Sequence, residues 1–141
     1  MAGIEATLSV VKLLRHYGAD YTRTNALHYA AEGTKPGRLK VMAYLIHEVG
    51  FLINQLELEY FPIVYRDYFR NVLGTALHSA VKRKFEKTVK FLLENGADRN
   101  KEDTDGLKPI DLARQYDFEA GIQLLQHCLV KCPAKGQLLV L

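Results

Sequence analysis

The chain has 141 residues, 19 Lys plus Arg against 16 Asp plus Glu, a net charge of +3 and a 48% hydrophobic content. This is the balance of an ordinary globular chain, and a net charge of +3 is too small to imply a nucleic-acid partner by itself. At this length a domain buries roughly 70% of the surface of its unfolded chain, so a core forms without disulfide or metal staples.

The first stretch, "MAGIEATLSVVKLLRHYG", is interrupted by Glu5, Lys12, Arg15 and His16, where a secretory signal needs an unbroken apolar run. The most apolar later stretch, "HEVGFLINQLELEYFPIVY", is broken by Glu48, Glu57 and Glu59, so no membrane span is expected. Cys128 and Cys132 are the only cysteines and lie near one end, which points to a reducing, intracellular setting, cytoplasmic or nuclear.

Along the chain, two phrases are each said more than once. "VVKLLRHYGAD" at 10–20 and "TVKFLLENGAD" at 88–98 match without a gap, and "MAYLIHEVGFL" at 42–52 falls in the same frame when the three are registered on Gly18, Gly96 and Gly50. "ALHYA" at 26–30 is echoed by "ALHSA" at 76–80, and "DGLKPIDLA" at 105–113 opens a further unit whose Asp111 stands 33 residues after His78. In the third of these units Leu77, Ala80 and Val81 predict one face of a first helix, and Val89, Leu92 and Leu93 predict the matching face of a second. Thr75 is placed to cap the first helix. Gly18, Gly50 and Gly96 follow each second helix where a left-handed residue ends it, and small Ala30, Ala31, Ala80 and Ala113 let paired helices approach closely.

These units resemble the ankyrin repeat, a unit of about 33 residues built from a β-turn and two antiparallel helices, with T-P-L-H-x-A as its commonest signature. "GTALHSA" carries Ala76 in the Pro slot; "GLKPIDLA" keeps Pro109 but has Lys108 for Thr and Asp111 for His; "NALHYAA" keeps Leu27, His28 and Ala30. The resemblance spans about 10–129. It implies an all-α ankyrin-repeat solenoid of stacked helix pairs with short β-turn hairpin loops, in which His28 and His78 bond the turns of neighbouring units. The expected organisation is a half-repeat cap at 1–20, a repeat at 25–57, an aromatic insertion at 58–72, a repeat at 73–101, a C-terminal cap repeat at 102–130 and a tail at 131–141. One departure recurs: the third Leu of the second helix survives as Leu93 but is Arg15, His47 and Gln126 elsewhere. Polar outer faces at the two ends of the stack account for Arg15 and Gln126. His47 lies inside it, and either a shift in helix packing beside the long connection or a buried, hydrogen-bonded histidine would account for it.

The connections also differ in length. Gly96 to Ile110 takes fourteen steps, Gly18 to Leu27 only nine, and Gly50 to Leu77 twenty-seven. The surplus falls in "LEYFPIVYRDYFRNV" at 58–72, which holds Tyr60, Phe61, Tyr65, Arg66, Tyr68, Phe69 and Arg70. Insertions in solenoids map to loops that often bind, and Tyr and Arg dominate interface hot spots. Two roles are open to these aromatics, partner binding or folding back to cap the stack. "KRKFEK" at 82–87, with Lys90 one turn on, is expected to be a solvated edge, with contact to an acidic partner as the sharper alternative; Asp98, Glu102, Asp103 and Asp105 argue against a continuous basic stripe for nucleic acid.

Catalytic and metal patterns fail on inspection. "KEDTDG" has Lys101 and Leu112 where a calcium loop needs oxygen ligands, "HEVGF" has no second His at i+4, "GTKPGR" is too short for a phosphate loop and is a widened inter-helix turn, and Cys128 and Cys132 beside His127 lack a second ligand pair. No catalytic residue, metal or cofactor is expected. The expected function is a protein-interaction module or scaffold, a monomer, presenting to a protein partner a rigid concave surface and the aromatic loop. On that surface the resemblance puts Tyr29 and Glu32, then Ser79, Lys82 and Arg83, then Thr104, Asp105 and Leu107. The alternative is a regulatory or substrate-recruiting fragment of a larger enzyme, because the chain opens in mid-repeat.

Overall fold

The computed structural model describes residues 2–21, 24–57 and 73–127, with side chains from Leu8 onward. Seven helices and no strand occur among the described residues: α1 (Ala2–His16), α2 (Ala26–Glu32), α3 (Arg38–His47), α4 (Ala76–Lys82), α5 (Glu86–Glu94), α6 (Pro109–Gln115) and α7 (Glu119–Gln126). The helix content follows the predicted periodicity. Val89, Leu92 and Leu93 of α5 are at most 2% exposed, and Leu77, Ala80 and Val81 of α4 at most 1%.

The ends of these helices are built by the residues that announce them. The backbone amide of Thr75, just ahead of α4, donates to Nδ1 of His78 at 3.0 Å, and the amide of Lys108 ahead of α6 donates to the Asp111 carboxylate at 3.1 Å. Each bond satisfies an orphan amide of the first turn. At the far end of α5, Gly96 adopts φ +92°, the Ala97 amide bonds the Leu92 carbonyl at 2.9 Å and the Gly96 amide bonds Leu93 at 3.2 Å. This pair of bonds is a Schellman motif and needs a left-handed residue in its middle, where glycine carries no Cβ penalty. The end of α1 repeats it, with Ala19 on Leu14 and Gly18 on Arg15.

The second unit departs from that frame by one residue. The Phe51 amide bonds the Leu45 carbonyl, and the Val49 amide bonds Tyr44, so one extra residue lies between α3 and Gly50. The structural counterparts of Val89, Leu92 and Leu93 are therefore Met42, Leu45 and Ile46, of which Met42 and Leu45 are at most 1% exposed and Ile46 packs against the core. His47 is not the third core position at all. It is exposed, which overturns the expectation of a buried histidine and leaves the packing shift as the explanation. Registering three segments on their glycines hid the shift because a helix can absorb a residue at its C-terminus without losing its cap.

The helices stack in two rows. α2 pairs with α3, α4 with α5 and α6 with α7; along the stack α2 meets α4, α4 meets α6, α1 meets α3 and α5 meets α7. Small residues make the close approaches, since Ala31, Ala76, Ala80 and Ala113 are fully covered. Gly74 is another such point: a Cβ there would sit 2.6 Å from Cβ of His78, too near the root of that side chain to be relieved by a rotamer change. α1 contacts α3 without an antiparallel partner of its own among the described residues. Its Arg15 is exposed but reaches the next unit, donating to the Glu48 carbonyl, and Val10, Leu13, Leu14 and Tyr17 are 49–79% exposed, so the outer face of the first unit is not the polar one expected of a cap.

The link between α4 and α5 carries a local conflict. Lys84 sits at φ +56°, a region that costs an L-residue with a Cβ roughly 1–2 kcal/mol. Replacing Lys84 by Gly removes that cost but returns part of it as unfolded-chain entropy. Lys84→Gly is expected to raise unfolding stability by about 0.5–1 kcal/mol, read as a higher urea midpoint at unchanged m-value.

Candidate functional site

His28 and His78 are the fixed points from which the rest of the surface is set. Both are buried. Nε2 of His28 lies 2.9 Å from the Gln55 carbonyl, and Nε2 of His78 lies 3.1 Å from the Leu107 carbonyl. A carbonyl only accepts, so Nε2 carries the proton in both rings. Each ring thereby ties its own helix to the turn of the next unit, as the resemblance implied. The two are not equivalent. Nδ1 of His78 accepts from the Thr75 amide and lies 2.8 Å from the Thr75 hydroxyl, while Nδ1 of His28, with Asn25 in the place of Thr75, is buried without a partner.

Burial holds the pKa of both histidines below the ordinary 6.5, against the opposing pull of the carbonyls they bond. A depressed histidine pKa means that the unfolded chain takes up protons first. Stability is therefore fully present above pH 6.5 and is lost as pH falls from there through the folded-state values. Half-buried Glu57 works the other way, since burial and the nearby Glu32 raise its pKa above the ordinary 4.5; its contribution is lost as pH rises from 4.5 and partly offsets that of the histidines. A falling urea midpoint is expected between pH 7.5 and 5.5, with a shallower slope in His28→Gln and His78→Gln variants; a flat wild-type profile across that range would contradict it.

The turns that receive these bonds are ordered by their own side chains. Oδ1 of Asp103 accepts the amides of Asp105 and Leu107, both at 2.9 Å; Gly106 takes φ +77°. The Thr104 amide and hydroxyl both engage Leu73, as donor to its carbonyl and acceptor from its amide, each at 3.0 Å. Asn54 accepts the Asp98 amide at 2.7 Å, and the Glu57 amide donates to the Gly74 carbonyl. The acidic "KEDTDG" stretch is thus a hydrogen-bonded turn.

On this frame the expected surface residues separate. Tyr29 is 66% exposed on α2. Glu32 and Lys82 are half-buried, and Arg83, Thr104 and Asp105 are exposed. Arg83 reaches Glu32 at 3.9 Å, an exposed pair worth little by itself. Leu107 is half-buried, with its carbonyl committed to His78. Ser79 is a correction: it is only 5% exposed, because a short side chain on α4, flanked by α2 on one side and α6 on the other, does not clear its neighbours as Tyr29 does. Tyr60, Phe61, Tyr65, Arg66, Tyr68, Phe69 and Arg70, together with Cys128 and Cys132, lie outside the described residues.

Two features escaped the sequence reading. Glu32 and Lys82, fifty residues apart in the sequence, both come close enough to Glu57 to influence it. Beside Tyr29 a cleft of about 190 Å³ opens between α2 and α3, lined by Ala30, Pro36, Arg38 and Val41 among others. The only signal for it was the widened turn "GTKPG", and a turn does not reveal what stands opposite.

Two rows of helices, paired and stacked through short turns, define a helical-repeat solenoid. Residues 74–104 match the profile of the ankyrin repeat. That segment is an ankyrin repeat, and the described residues as a whole form an all-helical repeat stack of the same kind. It is also 33% identical over 92 residues to the potassium channel AKT1 of Arabidopsis thaliana, a match that covers 65% of this chain and 9% of the channel. The chain thus spans less than a tenth of that relative's length. No helix of the described residues is long and apolar enough to cross a membrane.

Proposed function

We propose that this chain binds a protein partner through its concave face, acting as a scaffold by recognition and not by catalysis. Ankyrin repeats serve generally in protein–protein contacts, and the side chains that this stack leaves over are of the kind such contacts use. The observation that carries the proposal is Tyr29, 66% exposed on a helix whose Leu27, His28 and Ala31 are all buried. An aromatic side chain fixed on a rigid helix loses little entropy on docking and offers a large apolar area with a polar end. Glu32, Lys82 and Arg83 flank it from α2 and α4 or just beyond, and Thr104, Asp105 and Leu107 complete the surface at the last turn. From the sequence of the insertion at 58–72, Tyr65 and Phe69 are the further contacts proposed for the partner.

A partner captured from native lysate by the wild-type chain and identified by mass spectrometry is expected to be lost, at about tenfold weaker binding or worse, in Tyr29→Ala and in the double variant Tyr65→Ala, Phe69→Ala. Helicity by circular dichroism stays unchanged in both. Retained capture by both variants would remove the concave face from consideration, and a parallel collapse of helicity would assign the aromatics to the fold.

A further inference from the structure

We propose a second docking surface, on the edge formed by the inter-helix links of the second and third units, which takes an acidic peptide segment and seats one apolar side chain of it. The two links form one rim. The Arg38 guanidinium lies over the Phe85 ring at 4.6 Å, its Nε donates to the Thr88 hydroxyl at 3.2 Å, and Arg83 reaches back to Glu32 at 3.9 Å. Around this rim Lys35, Lys40, Lys84 and Lys87 are exposed. The acidic groups among them are Glu32, engaged by Arg83, and Glu86.

Three observations fix the chemistry of the occupant. Positive charge dominates this edge, whereas on the turn-bearing edge Asp98, Glu102 and Asp105 stand among Arg99, Lys101 and Lys108, so an acidic segment is steered preferentially to this edge. The cleft of about 190 Å³ beside Tyr29, Pro36, Arg38 and Val41 is smaller than the roughly 300–1,000 Å³ that holds a cofactor or drug-sized ligand, and suits a single aliphatic side chain. Lys84 occupies the left-handed backbone position of the third unit's link, φ +56°. The rim is also short. In the fourth unit the corresponding left-handed residue is Asp117 at φ +50°, followed by exposed Glu119, so positive charge ends after two units. A short basic rim around an apolar slot fits a peptide better than a polynucleotide, whose charge continues along its length.

The site lies apart from the concave surface except for Tyr29, which borders both. The test uses fluorescence anisotropy at low salt with a labelled synthetic heptapeptide of six Asp and Glu residues around a central Leu. Its controls are the same peptide with Ser for Leu, a labelled oligothymidylate of equal charge, and phosphatidylserine vesicles. The Leu peptide is expected to bind about fivefold tighter than the Ser peptide, the worth of one partly buried apolar side chain, and tighter than the oligonucleotide or the vesicles. The double variant Lys35→Glu, Lys84→Glu is expected to weaken it by about tenfold or more. Lys84→Gly binds it about threefold more weakly while melting higher than wild type, so lost affinity there is not lost fold. Amide shifts in a titration should fall on 33–38 and 83–87. Absence of binding, equal affinity of the charge-reversed variant, tighter binding of oligonucleotide or vesicle, or shifts confined to 104–107 would each overturn the proposal. None of these outcomes bears on the lysate partner of the concave face, which retains its own variants.

Discussion

His78→Ala is expected to lower unfolding stability by about 3 kcal/mol and to do so unevenly along the chain. The ring is fully buried and makes two kinds of bond, accepting from the Thr75 amide and donating to the Leu107 carbonyl. Its removal strands one donor and one acceptor in a buried setting, at about 1–3 kcal/mol each before water enters, and leaves a void between α4 and the following turn. Because neighbours in a repeat stack hold one another up in sequence, the fourth unit should loosen first. Hydrogen exchange is expected to accelerate over α6 and α7 more than over α2 and α3. His28→Ala, whose ring bonds the Gln55 carbonyl but has no partner at Nδ1, is expected to cost less. Equal costs for the two histidines would show that the cap at Thr75 contributes nothing.

Leu92→Ala is expected to cost about 3–5 kcal/mol, measured as a lowered urea midpoint. Leu92 is fully covered on α5, and its carbonyl also receives the Ala97 amide that closes the helix. Truncation removes packed methyl groups and leaves a cavity that two short helices, each fastened at its ends, cannot collapse into. The informative companion is Leu14→Ala. Leu14 holds the same repeat position in α1, with the same closing bond from Ala19, yet it is 49% exposed, and its truncation is expected to cost less than about 1 kcal/mol. A large loss at Leu14 would mean that a further element covers α1 in solution.

That pair of leucines shows where legibility stopped. Both stand in the same phrase, and the phrase correctly placed two helices and two glycine-closed ends. It carried no information on whether an antiparallel neighbour would cover the apolar face. The same holds for Tyr29 and Ser79, one repeat position with opposite exposures, and for His47, displaced from the core by one residue that the helix end absorbed. Arg38 is the opposite case. In the sequence it closes the Gly-Thr-Lys-Pro-Gly turn; in the fold it joins two units by stacking on Phe85 and bonding Thr88, fifty residues away, and so creates the rim proposed for acidic ligands.

The sequence alone determined the helical repeat, its period and the helix ends, because each depends on spacing within one unit or on a residue type with few alternatives, while the bonding role of the two buried histidines followed from the resemblance those patterns carry. Only the tertiary structure decided which copies of a repeated position are buried, how the second unit is registered and where basic groups converge. Those outcomes depend on what a neighbouring unit places opposite a side chain, and no local pattern encodes its own neighbour.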